Sequence, residues 1–397
     1  MTKEMRLSWK KESHRIIGYN DEMTSKKLSA PIWISSTTNL ELMVEELSKH
    51  KRLAIDTESN SLHAFQEQVC LIQISIPGSD YLVDPLALRD LSPLASLFSN
   101  DKIEKTFHAA EYDLLCLNRD FDFNIHNIFD TMQAARILRY PAVGLNHLLH
   151  EKYKISLDKR FQKADWARRP LPPDQLNYAR MDTHYLLDLR DDLHSELINT
   201  KLWDLAIEEF QRISICSKNH VESVTPAWQR INGANKLSPS QIPILKELLE
   251  WRTHQAERMN RPVFKVISNK LLFALTEAKP RRIEGLHSVG LSVRQSQMFG
   301  KEIISAIKKG LRSDPITPPK HSRPDQAYLH RLEILRNWRR QMGINLGFES
   351  DVVLPRSFMQ TIAEKNPENM QALSKLMPDS PWRLEHYGQQ ILKSLKN

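Results

Sequence analysis

Carboxylate side chains in three separate segments could together bind divalent cations. The first segment is LAIDTES (53–59), in which an apolar strand ends in Asp56 and Glu58. The two-residue repeat of a strand points both carboxylates to the same side. The exposed end of a strand is a usual place for a site in an α/β sheet. Acidic pairs with this spacing are common in proteins, so the pair alone indicates metal binding only weakly.

The second segment is FHAAEYDLLCL (107–117), where a strand delivers His108 and a helix then begins. Asp113 is predicted to lie on the second turn of that helix, at the edge of a face made of leucines. An acid in this position can serve a site, but it can equally cap the helix or pair with a base. The segment is therefore ambiguous when it is considered alone.

The third segment, LNYARMDTHYLLDL (176–189), places Tyr178 and Asp182 four residues apart. On a helix this spacing puts the phenol and the carboxylate one turn apart on the same face. Such a pair most often forms a structural hydrogen bond. His184 follows two residues later on a different face, and we interpret it as structural.

The elements that must position these side chains alternate between strand and helix patterns from about residue 31. Residues 145–213 are dominated by helical periodicity, and Asp130 is predicted to start a helix with Gln133 as its capping-box partner. Residues 31–213 therefore predict one α/β domain with a mixed sheet. The elements predicted before Asp130 are a helix over 40–47, strands over 53–55, 69–76 and 81–83, a helix over 91–98, a strand over 102–107 and a helix over 109–117.

The rest of the chain predicts two related helical domains. WRTHQA at 251 matches WRRQMG at 338, an offset of 87, and further matches follow at offsets of 87 and 88. Repetition at a fixed offset is typical of duplicated units. Two segments are predicted to be linkers, one polar (214–227) and one rich in proline (313–324). The predicted layout is an N-terminal extension (1–30), an α/β domain (31–213), a first helical domain (226–312) and a second helical domain (325–397).

The order of the acidic segments, D-x-E, then Asp, then Y-x-x-x-D, is far more specific than any one of them. Together with CLIQIS (70–75) and ADWARRPLPPDQLNYARMDTHYLL (164–187), this order resembles the ribonuclease D family of DEDD exonucleases, in its tyrosine-bearing branch. The helical repeats resemble helicase-and-RNase-D C-terminal (HRDC) domains. The resemblance covers nearly the whole chain after residue 30. It implies a ribonuclease H-like (DnaQ-like) exonuclease fold followed by two HRDC domains.

The resemblance also implies an activity, that of a 3′→5′ exoribonuclease releasing 5′-mononucleotides with two Mg²⁺ or Mn²⁺ ions. Carboxylate oxygens suit these hard cations. Asp56 is implied to bridge both ions, Glu58 and Asp182 to complete one site, and Asp113 to serve the other through water. A phenol with a pKa of about 10 is a poor base at neutral pH, so Tyr178 is expected to orient the attacking water. The implied substrates are the 3′ ends of tRNA precursors and other stable RNAs.

The charge distribution fits a polyanionic partner. Residues 226–397 hold 28 basic and 15 acidic residues, whereas residues 1–225 hold 28 and 33. A basic half beside an acidic half suits an RNA-holding module next to a site that concentrates carboxylates. A polar stretch before the Tyr178 helix adds side chains that could hold phosphates or form a solvated loop. These candidate RNA-binding residues are Lys159, Arg160, Arg168 and Arg169.

Composition narrows the setting. The chain has three cysteines in no metal-ligand spacing, which favours a reducing, cytoplasmic environment over a disulfide framework. No apolar run approaches the roughly 20 residues of a membrane span, and the first residues lack the apolar centre of a signal peptide. We expect a monomer with no membrane partner. Two alternatives stay open at this point, a DNA-directed 3′→5′ exonuclease and a non-catalytic RNA-binding adaptor.

Overall fold

The computed structural model describes residues 28–218, 225–317 and 325–396. Most of the predicted N-terminal extension (1–30) lies outside the described residues, and so does part of each predicted linker. Within the described ranges, every helix is too short or too polar to cross a lipid bilayer.

The first unit of the chain is built on six strands. The strands are β1 (Ile32–Ile34), β2 (Arg52–Ser59), β3 (Val69–Ile76), β4 (Ser79–Val83), β5 (Glu104–Phe107) and β6 (Ile128–Asp130). The helices are α1 (Thr37–Leu47), α2 (Ser92–Phe98), α3 (Glu111–Phe121), α4 (Thr131–Ile137), α5 (Leu145–Tyr153), α6 (Pro173–His184), α7 (Leu186–Asn199) and α8 (Trp203–Lys218).

The strands form one mixed sheet in the order β1-β4-β3-β2-β5-β6. β3 runs antiparallel to both of its neighbours, whereas β2, β5 and β6 are parallel to one another. The tight turn from β3 to β4 passes through Gly78, whose φ of +86° is one that glycine adopts without strain. The predicted mixed sheet is confirmed.

Both faces of the sheet are covered. Ile55, Ile72 and Ile74 belong to a core cluster that includes buried leucines of α1, α2 and α3. On the other face α6 packs across β2, β3 and β4. Every residue of β3 is buried as a result. A strand covered on both sides reads as a continuous apolar run rather than an alternating one.

Several predicted details differ from the structure. β1 and β6 were not predicted, because three residues are too few to display an alternating pattern. Helix α3 begins at Glu111 rather than 109, since Ala109 has a left-handed φ of 65°. Asp113 therefore lies on the first turn of its helix, and the predicted second turn is wrong. The helix that carries Asp182 ends at His184, and a separate helix begins at Leu186.

Asp130 starts α4 as predicted. Its carboxylate accepts from the backbone amides of Met132 and Gln133, which caps the helix. It also accepts from the amides of Ala109 and Ala110, so one buried acid ties the start of α4 to the end of β5. The predicted capping-box role of Gln133 differs, because its side-chain oxygen pairs with Arg136.

Two helical units follow. The first contains α9 (Ile242–Arg258), α10 (Val263–Val266), α11 (Asn269–Ala278), α12 (Ile283–Val289) and α13 (Val293–Arg312), preceded by 3₁₀ turns over Ala227–Arg230 and Ala234–Lys236. The second contains α14 (Gln326–Leu346), α15 (Ser350–Val353), α16 (Arg356–Lys365), α17 (Met370–Leu376) and α18 (Pro381–Leu395). Helices α11 and α16 start 87 residues apart, as do α12 and α17. The repeat in the sequence is thus a repeat of structure.

The second helical unit is joined to the first unit of the chain by a shared core and a buried ion pair. Leu335 and Ile391 belong to the same apolar cluster as Phe129 of β6. Arg383 is fully buried and lies 3.1 Å from a Glu208 oxygen and 2.9 Å from a Glu209 oxygen, both on α8. The first helical unit has its own core, against which Phe65 of the α/β unit packs.

Candidate active site and metal centre

Three of the predicted acids meet at the carboxyl end of β2. One carboxylate oxygen from each of Asp56, Glu58 and Asp182 lies within 4.8 Å of the other two. β2 supplies the first two side chains, and α6 brings Asp182 across the sheet. A hydroxyl contact of 2.7 Å between Ser75 of β3 and Thr183 fixes α6 in place. Oxygen ligands at this spacing are suited to a hard divalent cation.

Asp113 approaches the same place from α3. Its side chain is 7% exposed, and its Oδ1 accepts a hydrogen bond of 2.5 Å from Oγ1 of Thr57. Thr57 is the middle residue of the D-x-E pair. Asp113 therefore lies beside the cluster of three acids rather than within it, which is compatible with a second cation position next to the first.

The acids strongly resist ionisation in the absence of a cation. Burial first, and then repulsion from neighbouring carboxylates, raise the pKa of Glu58 to about 10 and that of Asp182 to about 7. The same two causes raise the pKa of Asp56 and Asp113 well above the usual range of an aspartate. Clustered carboxylates of this kind are stabilised in ionised form by bound cations. The donor set and its electrostatics therefore fit a site for divalent metal ions.

Tyr178 borders the acids as a neutral phenol. It lies one helical turn before Asp182, and its ring contacts Phe161 and Trp166 with centroids 5.8 and 5.9 Å apart. Burial, followed by the nearby carboxylates, raises the pKa of Tyr178 far above that of a free phenol. Tyr178 is thus a hydrogen-bonding group at physiological pH and does not act as a base.

A cleft of about 730 Å³ opens onto the acids. Its floor contains Asp56, Glu58 and Asp182, and Tyr178 lies on its wall. A second recess of about 270 Å³ shares Tyr178 and Asp182 with the cleft. The remaining wall is rich in nitrogen-bearing side chains, which are His108, Asn146, His147, His150, Lys159 and Gln162.

The four predicted RNA-binding residues are placed differently from one another. Lys159 is exposed and lines the cleft. Arg160 lines the second recess and pairs with Asp158 at 2.6 Å, and Arg168 is exposed on the same loop. Arg169 differs, because its guanidinium donates to both oxygens of Asp84 and to three backbone carbonyls. An arginine with this many internal partners holds the loop and has no free edge for a phosphate.

Three further residues near the acids gain meaning from the structure. Thr57 was not singled out in the sequence, since it looked like a spacer. Gln73 is the cross-strand partner of Asp56, and both of its amide atoms are buried without a partner in the described part of the chain. His184 lies 2.8 Å from an Asp80 oxygen, as expected of a structural histidine. Only strand pairing, which the sequence does not reveal, could have drawn attention to Gln73.

Comparison with known proteins agrees with this architecture. A family model described as a 3′-5′ exonuclease matches residues 31–198, and the HRDC domain model matches twice, at 241–307 and 329–395. Ribonuclease D of Desulfotalea psychrophila is 29% identical over 74% of this chain and 79% of its own length. The chain belongs to the ribonuclease D family of 3′-5′ exonucleases.

Other members extend the comparison. Exosome complex exonuclease RRP6 of Saccharomyces cerevisiae is 31% identical over 78% of this chain, which spans 45% of the yeast protein. The crystal structure of Escherichia coli RNase D, whose title calls it an exoribonuclease involved in structured RNA processing, superimposes with a TM-score of 0.68. That match covers 93% of this chain and 99% of the other at 23% identity, so it shows a shared fold. The predicted exonuclease fold followed by two HRDC domains is confirmed.

Proposed function

We propose that this chain is a 3′→5′ exoribonuclease that removes 5′-mononucleotides with the help of two divalent metal ions, Mg²⁺ or Mn²⁺. The observation that carries the proposal is the meeting of Asp56, Glu58 and Asp182 beside the neutral phenol of Tyr178. A member of an exonuclease family that retains all four acids and the tyrosine has every group that the family's chemistry needs.

In this proposal each side chain has its own task. Asp56, Glu58 and Asp182 hold one ion, and Asp56 with Asp113 serves the other. Bound ions of this type neutralise the phosphodiester and favour the attack of water on phosphorus. The Tyr178 hydroxyl hydrogen-bonds that water and directs it towards the phosphorus atom. Lys159, Arg160 and Arg168 are proposed to contact phosphates, and the Arg169 guanidinium is not, because its donors are used within the protein.

RNA is the proposed substrate because of the chain's relatives and its charge. Ribonuclease D and the exosome exonuclease are named for action on RNA. The two HRDC units lie in the half of the chain with 28 basic and 15 acidic residues, which favours a polyanion through sequence-independent attraction. We further propose precursors of tRNA and other stable RNAs as substrates, a monomeric state, and a cytoplasmic location on the grounds of cysteine usage.

Digestion of end-labelled RNA tests the proposal. RNA labelled at either its 5′ or its 3′ end is incubated with the protein in Mg²⁺, Mn²⁺ or EDTA. We expect 3′ label to appear at once as mononucleotide, 5′ label to shorten stepwise, and EDTA to stop both. A matched DNA oligomer serves as the control for the sugar. Endonucleolytic fragments, or equal rates with and without EDTA, would contradict the proposal.

A further inference from the structure

His108 is a neighbour of the catalytic acids that the proposed chemistry leaves without a role. β2 and β5 are parallel partners up to Ala54 and Thr106. Two residues further along each strand are Asp56 and His108, so the two side chains emerge side by side at the same edge of the sheet. His108 is partly exposed and lines the cleft.

The hydrogen bonds around His108 define which ring nitrogen carries the proton. Thr131 donates its single hydroxyl proton to the carbonyl of Phe107 at 3.0 Å. Nδ1 of His108 lies 2.9 Å from the same hydroxyl oxygen. Because that oxygen has no second proton to give, Nδ1 must be the donor. The proton of a neutral ring is then on Nδ1, and Nε2 is left as an acceptor.

Nothing in the described part of the chain satisfies Nε2, which lies at the end of the ring remote from Thr131. Burial lowers the pKa of His108 to about 4, so the ring stays neutral at physiological pH. A neutral imidazole with a free lone pair can only accept a hydrogen bond. Its partner must therefore be a donor that enters the cleft.

The chemistry of nucleic acids leaves few such donors. Phosphate oxygens are acceptors and would be repelled by the lone pair. Base amino groups differ from one nucleotide to the next, so they do not suit a fixed acceptor in a sequence-independent enzyme. The sugar hydroxyls remain, and the 2′-hydroxyl is the one by which a protein distinguishes RNA from DNA.

We propose that Nε2 of His108 accepts a hydrogen bond from a ribose 2′-hydroxyl at the 3′ end of the substrate, and that this contact favours RNA over DNA. The inference rests on the proposed function and adds the group that reads the sugar. His108 would act by contact with substrate and would take no part in holding the metal ions.

Variants of two residues test the assignment. kcat/KM is measured for His108→Ala on all-RNA and all-DNA oligomers, and on RNA with a single 2′-deoxy sugar at the last or the next-to-last nucleotide. Loss of one neutral hydrogen bond corresponds to roughly a 10-fold fall in kcat/KM. We expect that fall on RNA, with DNA unchanged, and we expect one of the two single-deoxy substrates to lose its disadvantage in the variant.

Thr131→Val is the second variant, because it keeps the imidazole but removes the acceptor that fixes its proton on Nδ1. We expect a partial loss of the RNA preference. His147→Ala removes another imidazole from the same cleft and should leave the ratio of RNA to DNA rates unchanged. Melting temperature and Mn²⁺ affinity, followed by the electron paramagnetic resonance of the free ion, should be unaltered in His108→Ala.

Two outcomes would overturn the inference. An equal loss on RNA and DNA would mean that His108 contacts a group common to both, and weaker Mn²⁺ binding would place it in the metal site. Failure of the proposed function looks different, since the wild-type protein would then show no metal-dependent release of mononucleotides from any of these oligomers.

Discussion

The hydroxyl of Thr57 donates a hydrogen bond of 2.5 Å to Oδ1 of Asp113. This contact joins the middle residue of the D-x-E pair on β2 to the third acid on α3, two elements that are 56 residues apart in the chain. The position between Asp56 and Glu58 thus has a role of its own, since its side chain orients the acid that the strand pair cannot supply.

Replacing Thr57 by Val should impair activity and shift its pH dependence. The hydroxyl lowers the pKa of Asp113 by stabilising its carboxylate. Without it, the acidic limb of the rate profile should move to higher pH, and kcat should fall by roughly 10-fold. Thr57→Ser keeps the hydroxyl and is the matched control. Identical pH profiles for the Val and Ser variants would show that the contact has no influence on Asp113.

The metal-free protein should lose stability as pH rises. Asp182 has a folded pKa of about 7, whereas an unfolded aspartate ionises near about 4. Between these values the folded protein retains a proton that the unfolded chain has released, so the free energy of unfolding falls with increasing pH. Urea denaturation in EDTA at pH 5, 6, 7 and 8 measures this trend, and Asp182→Asn should flatten it.

Added Mg²⁺ or Mn²⁺ should reverse that loss. An ion that binds only the folded protein adds about 2.7 kcal/mol of stability at one hundred times its dissociation constant. We expect the melting temperature of the wild-type protein at pH 8 to rise with metal concentration, and that of Asp56→Asn to respond little. A non-catalytic adaptor without a metal site would show no rise in either protein.

Replacing Tyr178 by Phe should lower kcat without weakening metal or RNA binding. Phenylalanine keeps the ring contacts with Phe161 and Trp166 but lacks the hydroxyl that orients water. The expected fall in kcat is roughly 100-fold, with KM and Mn²⁺ affinity unchanged. Since the phenol of Tyr178 is un-ionised, its loss should remove no limb from the pH profile. A changed Mn²⁺ affinity would assign Tyr178 to the metal site instead.

Replacing Arg383 by Met should destabilise the whole protein. The substitution leaves the charges of Glu208 and Glu209 buried without their partner, which costs about 3–5 kcal/mol. Denaturant titration should show this loss, and limited proteolysis should separate the second helical unit from the α/β unit. Arg340→Met, on the exposed side of α14, is the control and should change stability little. Equal stability of the two variants would show that the buried pairs do not fasten the units together.

Much of the fold could be predicted from the sequence. Long, strongly patterned elements such as β3 and α1 were recognisable, and the offset of 87 revealed the two related helical units. The three-residue strands β1 and β6 escaped detection because they exist through pairing with neighbours rather than through a local pattern. The helix break at Tyr185 was missed because the apolar repeat continues across it. The predicted domain boundaries stay predictions.

The acids of the candidate site were recognisable because their order along the chain is specific, even though each pair is common. Their surroundings were not, since Thr57, Gln73 and His108 owe their significance to strand register and side-chain packing. The phosphate contact expected of Arg169 failed for a related reason. A basic side chain in a polar loop looks free in a sequence, and only the fold shows Asp84 beside it.

The assignment of the four acids is tested most directly by the activity of folded Asp56→Asn and Asp182→Asn proteins on RNA with a free 3′ end. Each substitution is nearly isosteric and removes one of the charges that the bound metal ions require. With melting temperatures showing that both variants are folded, release of mononucleotides in saturating Mg²⁺ or Mn²⁺ should fall to background in each. Undiminished release by either variant would contradict the account.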